Sequence, residues 1–410
     1  MIKDIPIKNA EIEVREGRTS RKVPSYLIEF TYLVVLAYGN LAPAFGVAIP
    51  LVGAGILGGL AVLCLMHFGA YSIGVFRPIK FALGCAVFLL LIQGILHEES
   101  LGEPWMRYLV TWTLGLIIIQ SLSFRKGFLH RFAFVSFLIG CASLSFLKVY
   151  VVTDEMIRVG GDSGVALANP NYFGMWFGFC CIYFIVMGLE ANNYLVRIAS
   201  WSAGILCLYL MALSVSRGAL LGVVIATVIA FQKVFKRSYL PILGILTLLW
   251  VIYIAGIFDD LIGYYLSRGT EETGRSRLWA WGFSGFLESW WAGVGFSNAV
   301  FTDGATKQGY GPHNSFLFMG LSSGIVPLAF YIAYLVQVTR GAIRARTQGS
   351  PDSPYILPLV SFAMLSLMVA DGTFMSPWHM VIFSLALTTA NSSRKHRTQF
   401  SKTLPGNLAR

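Results

Sequence analysis

The chain has 410 residues, of which 56% are apolar and only 12% are charged. Because a soluble domain carries about 25% charged residues, this composition excludes an ordinary soluble domain and indicates that most of the surface faces lipid. The formal charge is +11, but the Lys and Arg residues are scattered in short clusters between apolar runs, which favours orientation signals in a membrane over a nucleic-acid interface.

Apolar runs recur along the whole chain, and each approaches the ~20 residues that a helix needs to cross a bilayer. They predict an all-α, polytopic membrane protein with about 12 transmembrane helices. The runs cover residues 26–42, 45–66, 80–97, 105–123, 129–148, 169–189, 195–213, 216–232, 239–257, 313–337, 354–370 and 374–391.

The charges between the runs predict how these helices are oriented. With the N-terminus inside, most of the 31 Lys and Arg residues fall in cytoplasmic segments, as the positive-inside rule requires, and most of the 20 acidic residues fall outside. The chain then divides into a cytoplasmic tail (1–25), a first group of nine transmembrane helices (26–257), a large outward loop (258–312), three further transmembrane helices (313–391) and a basic cytoplasmic tail (392–410).

The outward loop is much longer than the other outward connections and is rich in aromatic residues and glycine. Long loops in compact proteins are usually functional or disordered, and this composition argues against disorder. Within the loop, Trp279, Phe283, Phe286 and Trp290 recur at helical spacing and predict a short helix with one aromatic stripe. Such a helix can lie flat at the membrane surface, either as a plain anchor or as a lid that shapes a substrate site.

Arg217 is one of the few cations on the outward side, and it lies at the predicted N-terminus of the eighth span. Helix N-termini favour anions, and a guanidinium grips a phosphate with two parallel hydrogen bonds. Either Ser214 or Ser216 is placed to cap this helix. The pattern indicates a phosphate ligand, and the alternative is an interfacial Arg that holds lipid headgroups.

Arg275 and Arg277 lie two residues apart at the start of the predicted aromatic helix, so they point to different faces. At most one of them is expected to share a site with Arg217. We favour Arg275 because it falls nearer the aromatic stripe, with Arg268 as a weaker third candidate. The alternative for each is a solvated loop charge paired with a neighbouring glutamate.

His313 lies where the loop re-enters the membrane, and Asn314 follows it at another outward helix N-terminus. A neutral imidazole at this position can take a proton from a hydroxyl nucleophile, whereas a lone histidine is more often structural. Asn169 and Asn171 open the sixth span on the same side. They can donate hydrogen bonds to sugar hydroxyls or cap the helix, and capping is the more common role.

Several familiar motifs are absent from the sequence. There is no Asp-x-Asp pair that could bridge a diphosphate through a metal, and there is no phosphate-binding loop, dinucleotide-binding glycine pattern or zinc-ligand spacing. The sequence therefore predicts neither a metal nor a cofactor.

Three short motifs are similar to those of one family. They are an Arg followed four residues later by Leu, a His-Asn pair followed by Gly, and an Arg and Trp that precede a Gly-x-Gly. The matching residues are Arg217 with Leu221, His313 and Asn314 with Gly324, and Arg277 and Trp281 with Gly293 and Gly295. Two positions depart from the pattern, because Trp281 comes one place late and Pro327 replaces a small residue or Tyr.

With these motifs the chain resembles the O-antigen ligase/polymerase superfamily of membrane glycosyltransferases, and within it the lipopolysaccharide O-antigen ligases. The resemblance implies a GT-C-like helical fold in the bacterial inner membrane with its active site facing the periplasm. It also implies a glycan donor on undecaprenyl pyrophosphate, a lipid A–core sugar hydroxyl as acceptor, and a metal-independent, inverting reaction.

The resemblance also implies roles for the candidate residues. Arg217 and Arg275, with Arg277 as a substitute, would hold the diphosphate, and His313 would orient or deprotonate the attacking hydroxyl. The spans would bind the polyprenyl tail among membrane lipids, and the long loop would cover the glycan.

Three other functions remain open at this point. An O-antigen polymerase would use the same donor with a second lipid-linked glycan as acceptor, and a protein O-oligosaccharyltransferase is a further relative. A transporter of lipid-linked glycans belongs to another class. Transporters commonly place ionisable groups at mid-membrane, whereas the predicted spans are almost free of charge, so the sequence favours an enzyme.

Overall fold

The computed structural model describes residues 25–41, 50–68, 75–100, 103–153, 156–161, 169–235, 263, 275–302, 309–347, 351–370 and 372–403. The predicted span at 239–257 and the candidate residue Arg268 lie outside the described residues.

The described part of the chain is built mainly from α-helices. In chain order they are α1 (Ser25–Leu41), α2 (Pro50–Phe68), α3 (Lys80–Leu91), α4 (Pro104–Leu122), α5 (Phe128–Ser143), α6 (Pro170–Glu190), α7 (Tyr194–Leu213), α8 (Arg217–Phe235), α9 (Arg275–Glu288), α10 (Ser315–Ser323), α11 (Ile325–Ala345), α12 (Ser353–Ser366) and α13 (Pro377–Thr403).

Shorter elements complete this fold. A 3-10 turn precedes α3, a π-helical turn (Ile92–Leu96) follows it, and two more 3-10 turns lie elsewhere in the described ranges. Two antiparallel strand pairs, which the sequence did not predict, are β1 with β2 and β3 with β4. Their bounds are Leu147–Thr153, Met156–Gly161, Phe301–Thr302 and Gly309–Tyr310.

Five helical segments in the described ranges are long and apolar enough to cross a membrane by length and composition. They are Arg77–Leu96, Phe128–Phe146, Pro170–Glu190, Tyr194–Leu213 and Ile325–Ala345. Shorter apolar helices accompany them, α1 and α12 among them. The prediction of a helical, multi-pass membrane protein is therefore confirmed, while the number of about 12 spans stays a prediction.

The structure departs from the sequence prediction at two helices. The single helix predicted over 313–337 is wrong, because the chain breaks at Gly324, which has a left-handed backbone with φ of 77°. A Cβ there would collide with the backbone of Trp291. The first piece, α10, has nine residues and is only about 13.5 Å long, too short to cross a bilayer. At the C-terminus, α13 continues to Thr403, past the predicted helix end at 391.

The centre of the fold is the group formed by α6, α8 and α12, in which α6 is buried along most of its length. Close packing is possible because glycines face an aromatic ring. A Cβ at Gly178 of α6 would lie 2.7 Å from the ring of Phe362, and one at Gly222 of α8 would lie 2.8 Å from the same ring. These contacts hold the three helices together around the ring of Phe362.

Candidate functional site

The start of α8 carries the first candidate residue, Arg217, which is half-buried. Ser216 directly precedes this helix, and its carbonyl accepts the first helical hydrogen bond, from the N–H of Leu220, at 3.0 Å. Ser214 belongs instead to the preceding helix, because its hydroxyl donates to the carbonyl of Met211 at 2.6 Å. Of the two serines predicted to cap α8, Ser214 is therefore the C-cap of α7.

The N-terminus of α6 lies against the N-terminus of α8. Asn169 caps α6, since its side-chain oxygen accepts a hydrogen bond from the N–H of Asn171 at 2.8 Å. One turn later, a Cβ at Gly174 would collide with the side chains of Ser214 and Ser216. Asn169 thus takes the capping role, and the predicted sugar-binding role of Asn171 stays a prediction. The first turns of the two helices face the same region.

The chain that follows α12 connects this region to α10. We call residues 367–370 the 367–370 turn. A Cβ at Gly218 of α8 would lie 2.6 Å from Cγ1 of Val369. From the other side, the N–H of Ser315 donates to the carbonyl of Leu367 at 2.8 Å, and the Ser315 hydroxyl donates to the carbonyl of Ala370 at 2.7 Å.

These contacts bring two sequence candidates to one place. Arg217 directly precedes Gly218, and His313 lies two residues before Ser315. Since Gly218 and Ser315 both contact the 367–370 turn, Arg217 and His313 lie on either side of that turn rather than on opposite rims of the bundle.

The helices α9 and α10 run parallel, so their N-termini point in the same direction, with α9 beginning several residues before the level of the first turn of α10. A Cβ at Gly282 would lie 3.0 Å from Leu317, and one at Gly285 would lie 2.8 Å from Leu321. Both sequence positions increase together, which fixes the parallel direction. As a result, Arg275 at the start of α9 lies at the same end as the start of α10.

Asn314 and His313 form the start of α10. The side-chain oxygen of Asn314 accepts hydrogen bonds from the N–H groups of Phe316 and Leu317 at 3.0 and 3.1 Å, so Asn314 is the N-cap. Burial lowers the pKa of His313, and the positive charge of nearby Arg275 lowers the pKa further. Both effects favour the neutral imidazole near neutral pH, which is the form that accepts a proton.

The structure separates the two arginines of the loop. Arg275 is half-buried and acts electrostatically on His313, whereas Arg277 is exposed. The charge of Arg275 therefore acts at the imidazole, whereas Arg277 points to solvent; that Arg275 shares a site with Arg217 stays a prediction.

Left-handed backbone occurs at His313 and two residues before Arg217. Among the described residues, the positive-φ residues other than glycine are Glu98, Val215 and His313, with φ of 52°, 50° and 50°. A left-handed backbone is unusual for any of these residues and most unfavourable for a β-branched valine. Val215 lies two residues before Arg217, and His313 is itself a candidate. Strain of this kind concentrates at functional sites.

Four helix N-termini thus follow one another in a continuous series of contacts, from α6 to α8, across the 367–370 turn to α10, and on to α9. Each N-terminus presents N–H groups and the positive end of a helix dipole. Together with Arg217 and Arg275, they form a region suited to binding an anion such as a phosphate.

The glycines of the sequence motifs have a structural role. Gly293, Gly295 and Gly324 all adopt positive φ, at 73°, 87° and 77°. A Cβ at Gly293 would collide with the backbone of Ser322 and Ser323, at the end of α10. The segment after α9 therefore packs directly on the backbone where α10 ends, and the Gly-x-Gly of the family pattern joins the two helices.

Two residues that hold α10 and the segment after α9 in place were not predicted from the sequence. The fully buried amide of Gln93, in the π-helical turn after α3, donates to the carbonyl of Ser322 at 3.0 Å and accepts from the N–H of Phe296 at 2.8 Å. The other is Ser315. The only sequence signals were a polar residue inside an apolar run and a serine directly after the His-Asn pair.

The aromatic stripe of α9 divides between two environments. Trp279, Phe283 and Trp290 are 38%, 55% and 53% exposed, whereas Phe286 packs over Gly320 of α10. One side of α9 therefore holds α10, and the other presents aromatic rings outward. The predicted position of this helix at a membrane surface stays a prediction.

In the ranges described here, no group of three or more His, Cys, Asp or Glu side chains could hold a metal ion. The expectation of a metal-independent protein stays a prediction.

The fold defines a class, a multi-pass helical membrane protein. Residues 202–332 match a family model described as O-antigen ligase, and this range includes Arg217, Arg275, Arg277 and His313. This match, over about a third of the chain, supports the resemblance to the O-antigen ligase superfamily. Members of this family are membrane glycosyltransferase-like enzymes that include ligases and polymerases. No curated protein matches the chain.

Proposed function

We propose that the protein is an O-antigen ligase. It transfers a glycan from undecaprenyl pyrophosphate to a sugar hydroxyl of lipid A–core on the periplasmic face of the inner membrane, without a metal and with inversion. The observation that carries this proposal is the series of contacts around the 367–370 turn, which brings Arg217, His313 and Arg275 to one end of the bundle.

Because diphosphate is already a good leaving group, the donor needs no further activation. The proposed reaction depends instead on a site that binds the diphosphate anion. Arg217 and Arg275 hold the diphosphate and stabilise the charge that develops as it leaves. Each charge-assisted hydrogen bond is worth roughly 1.5–3 kcal/mol. The N-termini of α8 and α9, from which these arginines arise, add the positive ends of their dipoles.

In the reaction, the acceptor oxygen forms a bond to the anomeric carbon while the bond from that carbon to the diphosphate oxygen breaks. The attack comes from the face opposite the diphosphate, so the configuration inverts. The hydroxyl proton passes to the neutral imidazole of His313, which releases it to solvent after transfer. General-base assistance of this kind is typically worth 10²–10⁴-fold in rate.

The remaining candidates support substrate binding in this proposal. Arg277, Asn171 and the amide nitrogen of Asn314 contact the glycan or the diphosphate, and Arg268 contributes from the loop. The polyprenyl tail lies along the apolar spans, the loop at 258–312 covers the glycan, and both chain ends lie in the cytoplasm.

Reconstitution tests this proposal directly. The purified protein in lipid vesicles is given undecaprenyl-pyrophosphate glycan and either lipid A–core or a second lipid-linked glycan as acceptor. Glycan attached to lipid A–core supports the ligase. Elongation of the lipid-linked glycan alone identifies a polymerase, and movement of donor across the vesicle without a new glycosidic bond identifies a transporter. Either of the last two results overturns the proposal.

A further inference from the structure

The candidate site is assembled from two separate parts of the fold. Arg275 and His313 belong to the parallel pair α9 and α10, whereas Arg217 belongs to the group of α6, α8 and α12. Contacts within each part fix the positions of its own residues. A reaction that needs all three side chains also needs the two parts to be aligned with each other.

Ser315 lies at the junction of the two parts. It is the first residue of α10 and has no exposed surface. Its N–H and its hydroxyl donate to different carbonyls of the 367–370 turn, those of Leu367 and Ala370, at 2.8 and 2.7 Å. Two hydrogen bonds to two points fix rotation as well as distance, which one bond alone leaves free.

The turn that accepts these bonds is itself held in place. The N–H of Val369 donates to the carbonyl of Ser366 at 3.2 Å, and the Ser366 hydroxyl lies 2.7 Å from Nε2 of His379 on α13. On its other side, Val369 packs against Gly218. Ser315 is therefore attached to a supported part of the structure that also contacts the residue next to Arg217.

We propose that Ser315 is a positioning residue, whose hydroxyl sets the alignment of His313 with Arg217. This inference rests on the proposed function. Ser315 follows His313 by two residues, and the intervening Asn314 caps α10, so a shift of the start of α10 at this junction displaces the imidazole directly. Arg275 moves with His313, because both belong to the same helix pair.

The proposal predicts a specific kinetic pattern for Ser315→Ala. We expect kcat to fall on the order of 10–100-fold, because small misplacements of reacting groups reduce rates by up to about this amount. The donor KM should rise as well, because Arg275 moves with His313 relative to Arg217 and both arginines hold the diphosphate. The acidic limb of the pH profile should stay in place, because the charge of Arg275 still acts on His313. A general loss of structure would instead shift the acidic limb too.

Ser322→Ala is the matched control. Ser322 lies on the same helix and is equally buried, but its hydroxyl points back to the carbonyl of Met319 at 3.4 Å and does not reach the 367–370 turn. Its kcat should stay at the wild-type value. Ser315→Thr keeps a hydroxyl at the junction and should retain most of the activity that Ser315→Ala loses.

The assay is glycan transfer in vesicles with all variants measured side by side, together with His313→Ala. Equal kcat values for Ser315→Ala and Ser322→Ala, or an equal loss in Ser315→Ala and Ser315→Thr, would overturn the positioning role. If His313→Ala is as active as the wild type, the proposed function fails as well. An inactive His313→Ala beside an unaffected Ser315→Ala overturns the positioning role alone.

Discussion

At one end of the helix bundle Glu29 lies between two arginines, whereas at the other end Arg275 lies beside the imidazole of His313. Glu29 is only 3% exposed and accepts hydrogen bonds from Arg131, one of them at 3.1 Å, while Arg125 forms an ion pair with it. The end that contains Glu29 thus joins opposite charges. The end that contains His313 brings the positive charge of Arg275 toward an ionisable ring.

Asp352 shows the same contrast. It lies just before α12, and burial raises its pKa while nearby His130 lowers it in part. Nε2 of His130 lies 3.9 Å from Oδ1 of Asp352. Nearby His130 thus offsets part of the effect of burial on the pKa of Asp352, whereas Arg275 adds to the effect of burial on the pKa of His313. We infer that the first end serves stability and that the second is arranged for an added anion and a proton acceptor.

The largest expected effect is the loss of His313. His313→Ala should lower the transfer rate by about 10²–10⁴-fold, because the attacking hydroxyl loses its proton acceptor. The measurement is the initial rate of glycan transfer in vesicles. The melting temperature should change little, since the imidazole lies at the start of a helix whose cap is Asn314. A wild-type rate in this variant would contradict the assignment of catalysis to the end of the bundle that contains His313.

Arg275→Gln should have a smaller effect on rate and a distinct effect on pH dependence. Loss of a charge-assisted hydrogen bond to the diphosphate costs about 1.5–3 kcal/mol, which corresponds to roughly 10–100-fold in rate. Because the charge of Arg275 lowers the pKa of His313, its removal should raise that pKa. Activity that requires the neutral imidazole then begins to fall at a higher pH as the solution is acidified.

Arg277→Gln is the matched control, since Arg277 is exposed and lies on the same helix. Its rate loss should be smaller, and the acidic limb of its pH profile should stay at the wild-type position. An equal shift in both variants would show that general loop charge, and not the neighbour of His313, controls the imidazole.

Glu29→Gln should have the smallest effect on catalysis. Removal of the carboxylate from between Arg125 and Arg131 is expected to reduce the free energy of unfolding by about 1.5–3 kcal/mol, the value of hydrogen bonds to a charged group. The folded fraction should keep its kcat. Thermal melts and transfer rates on the same preparation separate the two quantities, and a reduced kcat at full folding would contradict the assignment of this end to stability.

The sequence predicted the helices better than their contacts. Runs such as 169–189 and 195–213 match α6 and α7 within a residue or so, because long apolar segments leave few alternatives in a membrane. The break at Gly324 was missed, since α10 and α11 are both apolar and periodicity alone cannot detect a change of direction between them.

The candidate site was predicted as a set of residues but not as an arrangement. Scarce outward charge, helix N-termini and the motif resemblance together pointed to Arg217, Arg275 and His313. The links that assemble them join residues far apart in sequence, such as Gly218 with Val369, and neither hydropathy nor spacing encodes such pairs. Ser315 and Gln93 carry hydrogen bonds whose acceptors lie on other helices, so only the folded structure identifies them.

A structure determined with undecaprenyl diphosphate bound would show whether two parts of the fold form one anion site around the 367–370 turn. We expect diphosphate oxygens within hydrogen-bond distance of both Arg217 and Arg275, with the ring of His313 beside them. A diphosphate that contacts only one of the two parts, or that binds at the end of the bundle that contains Glu29, would contradict it.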